Sequence, residues 1–195
     1  MKKVGIIIAA VACVALICGG FWFLKVRMDN SKEPELTEVQ KITTRDLEKD
    51  YPSSARDVIK FYNRIITAYY GEKYTDQELE QMAAQALMLF DEELAANNPK
   101  EDYLKQIRAE AGNYKSRKRS IVNSNVCNSR DVVYLTDKET KDNIAYVTAS
   151  YFVKENTKYD RTHQEYVLRK DEEGHWKILT FYKVSGKASE DDSDE

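Results

Sequence analysis

The alternation of apolar and polar positions divides the chain into segments of different kinds. Residues 4–24 read VGIIIAAVACVALICGGFWFL, 21 positions without a charge. A helix of that length rises about 31 Å, enough for the hydrocarbon core of a bilayer. The run exceeds the roughly 7–15 apolar residues of a cleaved signal, and it ends on aromatic residues rather than a small-x-small cleavage site. Phe21, Trp22 and Phe23 suit an interfacial anchor. Lys2 and Lys3 precede the run, and Lys25 and Arg27 follow it. The segment predicts an uncleaved transmembrane helix over 4–24. Residues 1–3 then form a cytoplasmic tip, and the rest of the chain is extracytoplasmic at the cell membrane. A cleaved signal, or a lipoprotein signal ending at Cys13 or Cys18, is the alternative.

Residues 25–52 are polar, carry Pro34 and Pro52, and read as a stalk in which Leu36, Val39, Ile42 and Leu47 give a weak amphipathic turn or two. Stronger periodicity begins at residue 53. Val58, Phe61, Tyr62, Ile65, Ile66 and Tyr69 follow the helical spacing and predict a helix from Ser54 to Tyr70, closed by Gly71. Thr75 with Glu78 forms a capping box for a second helix, whose stripe runs from Leu79 through Met82 and Ala86 to Phe90 and Leu94. Asn97-Asn98-Pro99 ends it and starts a third helix on Tyr103, Leu104, Ile107, Ala111 and Tyr114.

Beyond residue 120 the period falls to two. Strands are expected at Asp131–Thr136, Ile144–Lys154, His163–Lys170 and His175–Val184, the last two joined by a hairpin loop at 171–174, with a further strand near Ile121–Cys127. The expected fold class is α+β: one N-terminal transmembrane helix, then three helices packed on a curved antiparallel sheet of four or five strands. Residues 188–195, ASEDDSDE, read as a disordered acidic tail.

Composition sharpens this layout. With 32% charged and 42% hydrophobic residues, the chain is too apolar for disorder and too charged for a multi-pass membrane protein. The net charge is −3, yet residues 53–187 hold 22 cations against 21 acids, so the acidity belongs to the flanks. A nearly neutral domain gives no reason to expect nucleic acid. All 13 tyrosines lie at position 51 or later. Three cysteines, two of them inside the apolar run, exclude a disulfide framework and leave Cys127 as a half-buried apolar residue. Two histidines and no C-x-x-C cannot supply a zinc set, and the loop from Asp137 places lysines where a calcium loop needs oxygen ligands. Neither a metal nor a cofactor is expected.

The helix DVIKFYNRIITAYY, the strand IAYVTASYFV and above all the hairpin HQEYVLRKDEEGHWKILTFYKV resemble the NTF2-like (cystatin-like cone) superfamily over residues 53–187. The whole layout is similar to single-pass membrane proteins of Gram-positive, clostridia-type bacteria, and more distantly to scaffold subunits of type IV secretion machines. The resemblance implies a cone-shaped domain. It leaves the activity open, because the superfamily holds isomerases, dehydratases, ligand binders and scaffolds. Its enzymes typically place an Asp, His or Tyr inside the cone as general acid or base. This chain departs from the pattern in having no evident strand between its first two helices.

Candidate chemistry follows from strand alternation. If Lys170 faces His175, then His163 faces Tyr182 and Glu165 faces Thr180. His163, Glu165, Val167, Trp176, Ile178 and Tyr182 then share one face, with His175, Tyr166, Leu168, Leu179 and Phe181 on the other. The two histidines do not share a site. His163 and Asp131 are the best catalytic candidates, and a strand-end histidine beside an aromatic is the plainer reading. Tyr146, Tyr166, Trp176 and Tyr182 are candidates to line a ligand pocket, or simply core. Lys115, Arg117, Lys118 and Arg119 form a candidate anion patch, or a solvated helix end. No phosphate-binding Gly-rich loop, G-x-S-x-G or H-E-x-x-H occurs. The expected function is a membrane-anchored, non-catalytic protein-interaction or scaffold module of the cell envelope, a homodimer or bound to an envelope protein. A small-ligand-binding or weakly enzymatic cone pocket, and a binder of anionic wall or lipid polymers, are the alternatives.

Overall fold

Hydroxyl side chains fix where three of the helices begin. Thr37 opens α1 (Glu38–Thr43), Ser54 opens α2 (Ala55–Gly71) and Thr75 opens α3 (Asp76–Met88). Each hydroxyl accepts the backbone N–H three residues on, satisfying a donor the helix leaves orphaned. Gln40 and Glu78 reach back to the cap N–H and complete capping boxes on α1 and α3. Asp91 caps the short α4 (Glu92–Ala96), and Pro99 precedes α5 (Lys100–Ser116). The structure, a computed structural model, describes residues 35–185. The segments read as membrane span (4–24) and acidic tail (188–195) lie outside the described residues.

Five strands follow the helices: β1 (Arg119–Val126), β2 (Val133–Thr136), β3 (Asn143–Glu155), β4 (Lys158–Lys170) and β5 (Trp176–Val184). All pair antiparallel. The order is β1-β3-β4-β5, and β2 also pairs with β3, so β1 and β2 lie along the same edge of β3, separated by a 3₁₀ turn at Ser129–Asp131. Strand alternation gives the sheet an inner face of Ala145, Val147, Ala149, Tyr151, Tyr166 and Leu168, all buried. Against it lies α2, whose Val58, Ile59, Phe61, Tyr62 and Ile65 are at most 3% exposed. Between α3 and α4 the chain runs beside β5: Asp91 donates to the Ile178 carbonyl at 2.8 Å, and Ile178 donates to that of Leu89 at 2.8 Å.

The expectation of one membrane-spanning helix followed by three helices on a sheet needs correcting. The described residues hold five α-helices, and no helix among them is long and apolar enough to cross a membrane. One added helix, α1, comes from the segment read as a stalk, whose Val39, Ile42 and Leu47 are at most 2% exposed and belong to the core. The other arises because the long apolar stripe ending in Phe90 and Leu94 is cut. Phe90 leaves the helix to bridge Ile178, and Asp91 starts α4.

The hairpin register differs from the expected one as well. Lys170 faces Trp176, Glu165 faces Tyr182 and His163 faces Val184. An irregularity between Val167 and Leu168 then brings Ile178 to the buried face beside Leu168 rather than to the face of His163.

If α1 is core, Ile42→Ala should lower the free energy of unfolding by about 3 kcal/mol, as for other fully buried aliphatic truncations. Chemical denaturation of the full-length chain measures this. A midpoint unchanged from wild type would restore the stalk.

Candidate functional site

The inner layer does not close everywhere. Between α2, α5 and the inner face of the sheet lies a cavity of about 540 Å³. Six tyrosines line it: Tyr62, Tyr69 and Tyr70 from α2, Tyr103 and Tyr114 from α5, and Tyr151 from β3. The wall continues through Thr162 and Gln164 of β4 and Phe181 of β5. Exposed Glu110, Asn113 and Arg117 stand at its edge. The spacing that builds it is helical on one side, where Tyr62, Ile66, Tyr69 and Tyr70 fall on one stripe of α2, and of period two on the other.

The rings hold one another in place. Tyr70 and Tyr114 stack at 4.2 Å across α2 and α5. Phe90 meets Tyr62 edge-on at 5.7 Å and Tyr103 at 5.5 Å. Beneath the floor, the Tyr151 hydroxyl contacts both the Asn63 side-chain amide and the Tyr166 hydroxyl, and Tyr166 contacts Oε1 of Gln164 at 2.7 Å. Two hydroxyl protons cannot serve three contacts, so an amide must donate one of them. Turning Asn63 so that its otherwise unpartnered Nδ2 faces Tyr151 completes the chain. Donation then runs Asn63 to Tyr151 to Tyr166 to Gln164, ending at the cavity wall.

Burial pushes the pKa of all six lining tyrosines upward, that of Tyr103 to about 12. At neutral pH they are therefore neutral hydrogen-bonding groups rather than bases. The Tyr69 hydroxyl is buried with no hydrogen-bond partner. Tyr103 lies close enough to disfavour ionisation of Tyr69, but not in a geometry that makes a hydrogen bond. Tyr70 donates to Glu110 at the cavity edge.

The basic run 115–119 does not act as one patch. Lys115 and Lys118 are exposed, and Lys118 adopts a left-handed φ of 51° where α5 turns into β1. Arg117 pairs with Glu155 at 2.8 Å. Arg119, the first residue of β1, turns inward to line the cavity, its guanidinium 4.8 Å over the Tyr114 ring. Its Nε is buried without a hydrogen-bond partner, and no carboxylate among the described residues forms an ion pair with it.

The other sequence candidates lie elsewhere. His163 pairs with Ser150 and Val184 on the outer face, and Asp131 is exposed in the 3₁₀ turn, so neither reaches the cavity. Tyr166 is fully buried core, one hydrogen bond behind the cavity wall. Tyr146 and Tyr182 are on the outer face, where the Tyr182 hydroxyl donates to Glu165. Trp176 borders a separate hollow of about 290 Å³ with Tyr134 and Lys170. At the hairpin turn, His175 stacks on Tyr51 at 4.3 Å, with its Nδ1 3.4 Å from Glu173 and 3.9 Å from Asp171. That trio is the group of potential metal ligands among the described residues, and Lys177 already sits 3.9 Å from its Asp171.

Sequence reasoning missed all six tyrosines of the cavity wall, Tyr62, Tyr69, Tyr70, Tyr103, Tyr114 and Tyr151. For Tyr62, Tyr69, Tyr103 and Tyr114 the signal was present in the helix stripes, Tyr70 stood only as the end of its helix, and Tyr151 lay within the long strand. No curated protein matches the chain. The family model described as Domain of unknown function (DUF6715) matches residues 1–181, and the chain belongs to that family.

Proposed function

We propose that the domain binds a small molecule with an apolar body in the tyrosine-lined cavity. The observation that carries this reading is a space of about 540 Å³ walled by six tyrosines, whose lining includes Tyr69 and Arg119, each with a donor that has no protein partner. Ligand sites commonly occupy about 300–1,000 Å³ and combine apolar walls with a few placed polar groups. The wall supplies stacking and neutral hydrogen bonding. Both histidines lie away from it, which favours holding a molecule over transforming it.

N-phenyl-1-naphthylamine, a neutral fluorescent aromatic, should bind the full-length chain. Thr162→Trp, which fills the wall from a strand position, should weaken that binding at least tenfold without lowering the thermal midpoint. No binding to wild type, or equal binding to T162W, would overturn the reading. Because the tyrosines must be neutral, binding should hold across neutral pH and be lost as Tyr103 ionises near pH 12. Loss already centred near pH 10, the ordinary value for tyrosine, would place the probe on exposed rings instead.

A second reading, a module that pairs with another copy of itself, draws on the outer face of the sheet. There Val133 is 55% and Leu135 44% exposed on β2, and Tyr182 is 46% exposed on β5. Sedimentation equilibrium should then give a dimer that Val133→Lys with Leu135→Lys dissociates, and a wild-type monomer would refute it.

A further inference from the structure

We infer that the occupant of the cavity carries an anionic group (a carboxylate, sulfonate or phosphate), which Arg119 receives while the tyrosine rings hold the apolar body. The inference rests on the ligand-binding reading and adds the chemical class of the ligand.

The argument is one of charge and geometry. A guanidinium carries five donors in a fixed planar fork and is always charged. Taking such a group partly out of water is costly unless an acceptor replaces the water. Arg119 has a half-buried side chain, an Nε sealed from solvent, and an aromatic ring against one face. The acids nearest in the fold are engaged elsewhere. Glu155, which faces Arg119 across the β1–β3 pair, is held by Arg117 at 2.8 and 2.9 Å. Glu110, at the cavity edge, accepts from Tyr70. The cation over Tyr114 therefore lines the cavity with no protein carboxylate paired to it.

Two oxygens of one anion match the fork side by side, the geometry in which arginine binds carboxylate and phosphate best. A neutral polar ligand would satisfy hydrogen bonds but leave the charge of Arg119 unanswered. A cation would meet Arg119 and Arg117 at the wall, against Glu110 alone.

The test uses two dyes with the same ring skeleton, 8-anilinonaphthalene-1-sulfonate, which is anionic, and N-phenyl-1-naphthylamine, which is neutral. Arg119→Gln in the full-length chain should weaken the anionic dye at least tenfold and the neutral dye less than twofold. Arg119→Lys, which keeps the charge but loses the fork, should fall between. Lys115→Gln with Lys118→Gln, on the solvent side of the same run, should leave both affinities unchanged. Equal loss of both dyes in R119Q, no loss of either, or loss of the anionic dye in K115Q/K118Q would overturn the assignment of Arg119 while leaving a cavity that binds. Failure of both dyes to bind wild type would overturn the ligand-binding reading itself.

Discussion

A buried tyrosine imposes two demands on a fold: its ring seeks a dry, packed environment, and its hydroxyl needs a hydrogen-bond partner. The interior of this domain is arranged around that double demand. At one end of the sheet the inner face is made of Ala145, Val147, Leu168 and Ile178, none of them exposed, and the layers pack tightly. At the other end α2 and α5 present tyrosines to the sheet, and the layers stay apart. Where the demand is met internally, as in the chain through Asn63, Tyr151, Tyr166 and Gln164, the result is a stiff floor. At Tyr69 the demand is unmet: the residue lines the cavity, while its buried hydroxyl has no hydrogen-bond partner. The cavity is thus a consequence of which large side chains were placed between the layers.

Local features of this arrangement were legible in the sequence, and features set by tertiary context were not. The cap on Ser54 and the Thr75–Glu78 box could be read directly, because a capped helix start is decided within four residues. The membership of α1 in the core could not be read. Val39, Ile42 and Leu47 are three apolar side chains in a polar stretch, and only their contact with the rest of the domain makes them core. The break at Phe90 was hidden for the same reason, since the apolar spacing continues through it to Leu94 while β5 captures the backbone. One irregularity in the β4–β5 ladder moved Ile178 to the opposite face from the one that strict alternation gives it.

The candidate site was half visible. The cluster of cations at 115–119 stood out as charge, and the tyrosines stood out as stripes. Their meeting depends on the left-handed turn at Lys118, which sends Arg119 inward while Lys115 and Lys118 stay in solvent. A positive φ at a lysine carries no sequence signature, so the run read as one solvated patch. His163 keeps the face that the alternation of β4 gives it; the ladder, shifted by two residues from the simplest hairpin, changes its partner from Tyr182 to Val184 and leaves that face unchanged.

The short contact of Leu89 and Asp91 with Ile178 has a consequence for how this molecule meets others. It caps the outer strand of the sheet with two backbone hydrogen bonds, and the opposite margin is interrupted by the Ser129–Asp131 turn and by the register shift between Ile121 and Asn123. Each margin is thereby broken into shorter rows of free amides and carbonyls, which makes it a poorer template for a foreign strand. These interruptions work against open-ended polymerisation through the sheet margins and favour recognition by side chains over recognition by backbone pairing.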